Sequence, residues 1–582
     1  MVRSMRMRWL VWGLTAAVVI ILAALAWVGA RALMAKKELD AVTSQVDALR
    51  QAVADQDLAR LESIAKAAGP HIQAATDLTG DPIWRATEVL PVLGPNLTTA
   101  RVVSASLDTL VNDLALPLTS RLPHLGEADG GINVRTLQDI AQTLTEAGAA
   151  LQTSQHELHA LDLHAVLAPI ADGAQQLQKI TDQVTPIVRG TAPFLHIAPG
   201  LLGADSTRHI LLIVQNNAEL RTGGGISGSF VELTAQKGRV SLSSVASDAL
   251  FPPAAKPVTE VPASTTKLYG DVVGRYVQNT TSPADFTLTA RLASAWWHTH
   301  TGETPDAVLS IDPYVLTALL QATGPVKVQG ATLSADNAIE ALLVAPYLTM
   351  DSAEQDVFFE AVAKSVFQRV VDGSTSASAL AWALQKPLAE GRISAWSSVP
   401  EEQRVLGRAP LGGPAVRHAA AGAQAYAVYL SDATGSKMDR FLQTAITTGS
   451  TLCRDDGHRD VVVTVTLHSQ APANAGSVFP VSVTGGGIFG TRAGDIRTIV
   501  SVAAPAGTFF GGVRADGKLT TSPDVVDAGF PTSATTVLLA PGQTKTVEFR
   551  FIAAQAGAVQ PVILHTPMIN APKISSTAAE CR

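Results

Sequence analysis

Hydrophobic positions along this chain follow three successive patterns. From Trp9 to Ala30 no charged residue interrupts an apolar run of 22 positions, which as a helix would cover ~33 Å, enough to cross the hydrocarbon core of a bilayer. Residues 1–36 therefore read as a cytoplasmic tail and transmembrane anchor. A cleaved signal peptide is the competing reading, because Val28-Gly29-Ala30 looks like a small-residue cleavage site, but its apolar region would span only about 7–15 residues. Arg3, Arg6 and Arg8 before the run are matched by Arg31, Lys36 and Lys37 after it. The free amino terminus tips the orientation towards a cytoplasmic start.

The second pattern is helical. Leu39, Val42, Val46, Leu49 and Val53 recur at alternating steps of three and four, as in a short coiled-coil or bundle helix. Helical signals continue through Ala150 to Ile187, with Pro70, Pro82, Pro91, Pro95, Pro117 and Pro123 predicting several helices joined by turns. Residues 37–200 read as a helical stalk or bundle, bounded by Pro193, Pro199, Gly200 and Gly203. From 201 to 450 strand and helix signals alternate: strands at Ile210, Phe230, Val240 and Val308, helices around Ala290–Trp297, Val315–Ala322, Ala335–Leu343 and Ala353–Val371. That order predicts an α/β core with a mixed sheet. The third pattern has period two. Val461, Val463, Val465 and Leu467 alternate with Val462, Thr464, Thr466 and His468, and Val547, Phe549 and Phe551 alternate with Thr546, Glu548 and Arg550. With turns such as Pro541-Gly542, residues 451–582 read as a β-sandwich.

Length and charge narrow the class. A chain of 582 residues is too long for one core. A net charge of −7 with 16% charged residues carries no electrostatic footprint for nucleic acid. Only Cys453 and Cys581 occur; they bracket the period-two segment, as a single disulfide closing that domain in an oxidising space would. Two unpaired buried thiols are the alternative. Anchor and cysteine placement together favour an extracytoplasmic body.

The densest chemistry lies between Ile210 and Leu233. The run Ile210–Val214 is short, β-branched and continuous, like a strand covered on both faces, and polar residues gather at its end, where open α/β sheets place ligands. Gly223, Gly224, Gly225 and Gly228 can take positive φ or admit close approach, so their amides could form an anion-binding nest. The plainer reading is a Gly-rich hairpin with Glu219 and Arg221 as a surface ion pair.

Other constellations carry less. Gly225-Ile226-Ser227-Gly228-Ser229 nearly spells a nucleophile elbow, but a strand follows where a helix is needed. No Gly-Lys-Ser or Gly-Lys-Thr closes the glycines into a phosphate loop. His156, His159 and His164 lack the His-Glu-x-x-His step of a zinc helix and read as a solvated face. Trp296 and Trp297 suit a core better than a sugar-stacking or membrane surface. Lys437 and Asp439 read as a local turn pair.

Several segments together resemble a family of bacterial membrane-anchored proteins known as domain of unknown function 4012: Pro82-Ile83-Trp84-Arg85 with Leu90-Pro91-Val92-Leu93-Gly94-Pro95-Asn96; Gln215 to Gly228; Asp306-Ala307-Val308 through Asp312-Pro313 to Thr323-Gly324-Pro325-Val326; and Gly435-Ser436-Lys437-Met438-Asp439. More distantly, the core is similar to the LytR-CpsA-Psr phosphotransferases, which move glycopolymers from a polyprenyl-pyrophosphate carrier onto the cell wall. Glu219 and Arg221 stand at that family's first Asp-x-Arg, and Ser244-Val245-Ala246-Ser247-Asp248 at its second motif. The resemblance implies that Glu219 or Asp248 holds Mg2+, that Arg221 and Asp248 serve catalysis, and that Asn216, Asn217, Gly223, Gly224, Gly225 and Ser227 bind substrate. Three departures weaken catalysis: Ser247 occupies the place of an arginine, Ile226-Ser227 replaces an Arg-Ser-Asp, and Gln355 to Ala363 lacks the family's paired arginines. Each missing charged donor removes about 3 kcal/mol of transition-state stabilisation.

The expectation is a multidomain protein: an N-terminal transmembrane helix and helical bundle, an α/β core with a mixed sheet resembling LytR-CpsA-Psr, and a C-terminal β-sandwich. Its expected role is in cell-wall or surface glycopolymer assembly, with the membrane, a polyprenyl-linked glycan and a cell-wall polymer as partners. The alternatives are a non-catalytic envelope scaffold and a metal-dependent lipid-carrier phosphatase.

Overall fold

The computed structural model describes residues 2–43, 45, 48, 51–52, 55, 57–126, 131–408, 410–578 and 581. The chain divides into two compact units, one comprising Met1–Glu127 and Ile132–Pro199, the other Ala128–Gly131 and Gly200–Arg582.

The first unit is helical. It opens with the helix Val2–Thr43, whose stretch Leu14–Thr43 is long and apolar enough to cross a membrane. Of the expected seam, Leu39 and Val42 lie in this helix, while Val46, Leu49 and Val53 fall outside the described residues. Asp81 caps the short helix Pro82–Thr87 by accepting the amides of Ile83 and Trp84, and the buried Trp84 indole donates to the Leu97 carbonyl at 3.0 Å. In the helix Val134–His159 the buried positions Leu137, Ile140, Ala141, Leu144, Ala147, Leu151 and Leu158 form one stripe, as a three-to-four-residue spacing requires. His156 and His159 lie on its exposed side, with His159 beside Asp182 at 2.9 Å. Not every proline breaks a helix. Pro70 lies inside Leu58–Thr79, and Pro186, Pro193 and Pro199 lie inside Ala168–Leu201. A proline there forfeits one backbone hydrogen bond, and the buried stripe Ala174, Leu177, Thr181, Val188 and Ala192 carries the second helix through. The helix ends at Leu201, and the turn follows at Gly203, one of the four residues expected to mark this boundary, where φ is +70° and a Cβ would stand 2.3 Å from the Ala235 carbonyl oxygen.

In the second unit, β1 (Arg208–Asn216), β2 (Ile226–Gln236), β3 (Arg239–Ser247) and β4 (Ala307–Ile311) precede a small hairpin of β5 (Val326–Val328) and β6 (Ala331–Leu333), followed by β7 (Ser394–Ser397). The first sheet has the order β3-β2-β1-β4-β7, with only the β1–β4 pairing parallel. The sheet is therefore mixed. The helix Phe286–Thr301 lies in the connection between β3 and β4, and its Trp296 and Trp297 join Leu211, Ile213, Phe230 and Val308 in one core. Ile210, Ala235 and Ala307 pack in another cluster, which accounts for the nearly unbroken apolar run of β1.

The rest of the unit is built on two sheets. Its strands are β8 (Ala425–Asp432), β9 (Leu442–Thr451), β10 (His458–Ser469), β11 (Ile496–Ala503), β12 (Phe509–Ala515), β13 (Lys518–Thr520), β14 (Asp524–Asp527), β15 (Phe530–Leu539), β16 (Thr544–Ala556), β17 (Val562–His565) and β18 (Lys573–Ser576). Their orders are β13-β12-β16-β10-β9-β18 and β14-β15-β11-β8-β17. Val461, Val463, Val465 and Leu467 from one sheet and Val428, Leu430, Val500 and Val502 from the other enter a single core, so the period-two residues are the inward ones. β8 and all of β9 but Thr451 lie before residue 451, so these sheets reach back into the span read from sequence as α/β core. Cys453 and Cys581 are joined by a disulfide across a separation of 128 residues.

Candidate functional site

The site is assembled around the loop between β1 and β2. β1 ends at Asn216 against a bulge in its pairing with β2 at Val214/Gln215, and the chain then turns through Asn217 to Gly225. Leu220, at the turn's centre, is 1% exposed and belongs to the core shared by the two C-terminal sheets. An apolar residue thus plugs the loop into a different layer. Its amide donates to Asp439 Oδ2 at 2.8 Å, its carbonyl accepts the Asp432 amide at 2.8 Å, and the Asp439 amide donates to Ala218.

Both flanking charges are consequently buried. Arg221 Nη2 meets Glu219 Oε1 at 3.2 Å, Nε donates to Asn279 Oδ1 at 2.8 Å, and Nη1 donates to the carbonyls of Leu220 and Asp432 at 2.7 and 3.3 Å. The pair that the plainer reading of the sequence puts on the surface is an interior one. Glu219 Oε2 lies 3.6 Å from Lys437, whose ammonium stands 4.6 Å from the centre of the Tyr347 ring, a cation–π contact. Lys437 is held above the ordinary lysine value: desolvation is the largest influence and lowers it, but Glu219, Tyr347 and Asp248 together outweigh it.

Asp248, at the end of β3, is half-buried and takes its hydrogen bond from Gln278 at 2.9 Å. It is within electrostatic reach of Lys437 and Glu219, and desolvation raises its pKa above the usual carboxylate range. Glu219, Arg221 and Asp248 thus gather in one neighbourhood, with Lys437 as the cation Asp248 feels. The Glu219–Asp248 donor set does not fit a magnesium ion, because both Glu219 oxygens already face cationic side chains.

The glycines serve the turn. The Gly223 amide donates to the Thr281 carbonyl at 3.0 Å, that of Gly224 to Arg221 at 2.8 Å, and that of Gly225 to Gln215 Oε1 at 2.7 Å. None of the three is left to form an anion nest. Gly224 has φ +136°, and a Cβ on Gly225 would stand 2.1 Å from the Asn216 carbonyl oxygen. Asn216 donates to the Tyr347 hydroxyl at 2.6 Å, Asn217 to Asp312 at 3.1 Å, and Ser227 shares a short hydrogen bond with Thr280. Asp312 in turn pairs with Arg392 at 2.5 Å.

Sequence reasoning missed Asp432 and treated Lys437 and Asp439 as a local pair. Asp432 Oδ2 accepts the amides of Thr434 and Gly435 at 3.0 and 2.6 Å. Desolvation, then the Glu219 charge, raises its pKa to about 6. Asp439 is also raised well above its ordinary value, by desolvation first and then by Asp432. The Oδ1 atoms of both are buried without a hydrogen-bond partner. Two acids here share an environment that tolerates little negative charge. For Asp439 the signal was the segment Gly435 to Asp439, which stands among the residues carrying the family resemblance; Asp432 lies outside it.

Residues 205–347 match a family described as a protein of unknown function (DUF4012), which places this segment in that family. The span holds β1, the loop, β2, β3, β4 and Tyr347, while Asp432, Lys437 and Asp439 lie beyond it. No curated protein matches the chain.

Proposed function

We propose that the protein is a single-pass envelope protein, its bulk outside the cytoplasm, that serves cell-wall or surface glycopolymer assembly as a non-catalytic scaffold. The observation that carries this reading is the state of Arg221: four donor contacts go to protein acceptors, and the side chain is 8% exposed. A phosphotransferase of the LytR-CpsA-Psr kind needs a guanidinium aimed at its pyrophosphate. This one is spent on joining the β1–β2 loop to β8. The membrane helix and the disulfide support an anchored, extracytoplasmic location, and the two C-terminal sheets, read as a β-sandwich, would offer the partner-binding faces.

The transferase reading draws on one observation, the half-buried Asp248 near Lys437. The test incubates the full-length protein in detergent with a polyprenyl-pyrophosphate-linked glycan and magnesium, beside Arg221→Ala and Asp248→Ala. The scaffold reading expects the same background release from all three. Magnesium-dependent release by the parent protein, abolished in Asp248→Ala, would overturn it.

A further inference from the structure

At the opposite end of β1 from the loop, His209, Glu232 and Glu303 bring three ligand atoms within 4.8 Å of one another. His209 and Glu232 are diagonal neighbours on β1 and β2, since Leu211 pairs with Glu232 and His209 with Thr234, so their side chains share a sheet face. His209 Nδ1 lies 3.5 Å from Glu232 Oε1 in a side chain that is 44% exposed, yet the Nδ1 atom itself is buried with no hydrogen-bond partner. The other Glu232 oxygen accepts from the Ser244 hydroxyl at 3.1 Å, which orients the carboxylate with Oε1 towards the imidazole. The His209 backbone is pinned by its amide to Asp306 Oδ2 and by its carbonyl to the Asp306 amide, each at 2.8 Å. Glu303 follows the left-handed Gly302 at φ +81° and is exposed.

We propose that His209, Glu232 and Glu303 form a zinc site. An imidazole with two carboxylates supplies two negative charges and a borderline nitrogen donor, a set that favours a transition-series dication over magnesium or calcium. Two ligands are fixed by sheet positions, and the Ser244–Glu232 hydrogen bond is the kind of outer contact that orients a ligating carboxylate. Tetrahedral zinc with bonds of about 2.0–2.1 Å needs donors ~3.3 Å apart. The His209–Glu232 separation of 3.5 Å already meets this, and the exposed Glu303, with all three donors within 4.8 Å of one another, closes the remainder by moving no more than ~1.5 Å. With three protein donors, a fourth position stays open to water or a partner's ligand. β1 carries His209 about 23 Å from Asn216 at ~3.3 Å per residue, so the site is independent of the scaffold reading.

The test uses tag-free, full-length protein in detergent, dialysed against chelator and titrated with zinc chloride by calorimetry. One zinc per chain is expected, with at least tenfold weaker binding in both His209→Ala and Glu303→Gln. Zinc should also raise the melting temperature of the parent protein and not of Glu303→Gln, whose exposed side chain leaves the metal-free fold intact. An absence of saturable binding, or equal affinity in the parent and Glu303→Gln proteins, would overturn the site.

Discussion

The Leu220 amide donates to Asp439 Oδ2 at 2.8 Å across 219 residues of sequence. A buried acid that accepts one amide while its other oxygen has no partner is one whose protonation the fold favours. Burial and the neighbouring Asp432 hold Asp439 well above its ordinary value, and Asp432 itself is raised to about 6. In the unfolded chain both titrate near 3.8. Between that value and the raised one the native state holds protons that the unfolded state has lost, so stability falls as pH rises through the window. The expected slope approaches about 1.4 kcal/mol per pH unit for each proton so held. Chemical denaturation at pH 4.5, 5.5, 6.5 and 7.5 should show stability declining over this range, and Asp439→Asn should flatten the decline.

Arg221 makes a second prediction. Removing one partner of a buried ion pair leaves the other charge uncompensated, at a cost of about 3–5 kcal/mol. Arg221→Ala should lower stability by that order, because Glu219 and the Asp432 carbonyl lose their donor together. Arg221→Lys should recover only part of it, since an ammonium cannot reach Asn279, Glu219 and two carbonyls with one planar group. A surface pair would instead cost about 0–1 kcal/mol, and a denaturation midpoint unchanged in Arg221→Ala would place the side chain outside the interior network.

Periodicity made much of this legible. The alternation at Val461 to Leu467 and at Val547 to Phe551 picked out fully buried positions of β10 and β16, because on a strand with one covered face burial and spacing are the same variable. Trp296 and Trp297 came out as core for a related reason: a helix packed on a sheet buries its largest residues. The loop was different. Sequence could show that Glu219, Arg221 and four glycines lie together, but a hydrogen bond between Leu220 and Asp439 depends on how distant layers dock. Local pattern carries no information about that, which is why Asp432 was missed and Lys437 was assigned to its neighbour. Pro70 misled in the opposite sense: the helix Leu58–Thr79 runs through it, because tertiary burial of one face outweighed the loss of a single amide bond.

The disulfide gives a third prediction. Cys453 and Cys581 close a loop of 128 residues, and in the chain-entropy model a cross-link of that span stabilises by about 4–5 kcal/mol. Reduction, or Cys453→Ser with Cys581→Ser, should lower the denaturation midpoint by a corresponding amount. β18, which pairs parallel with β9 near the end of the chain, should lose amide-exchange protection first. Equal stability with and without reductant would show that the native contacts of β18 restrain the C-terminal segment without the covalent link.

Gly225, at the end of the loop, and Gly228, just inside β2, should behave in opposite ways. A Cβ on Gly225 would stand 2.1 Å from the Asn216 carbonyl oxygen and 2.6 Å from the Asn217 amide nitrogen, and neither backbone atom can withdraw without opening the turn. A Cβ on Gly228 would meet the Val214 carbonyl oxygen at 3.6 Å, an ordinary contact. Gly225→Ala should therefore destabilise by about 1–3 kcal/mol, the usual cost of overpacking, and loosen Leu220 from the core below it. Gly228→Ala should be close to neutral or stabilising by a few tenths of a kcal/mol, through reduced entropy of the unfolded chain. Hydrogen exchange at the Leu220 amide is the sensitive readout: it should accelerate in the first variant and not in the second. If both substitutions proved neutral, the loop would have room to move. Its glycines would then be candidates for admitting a ligand rather than for closing a turn.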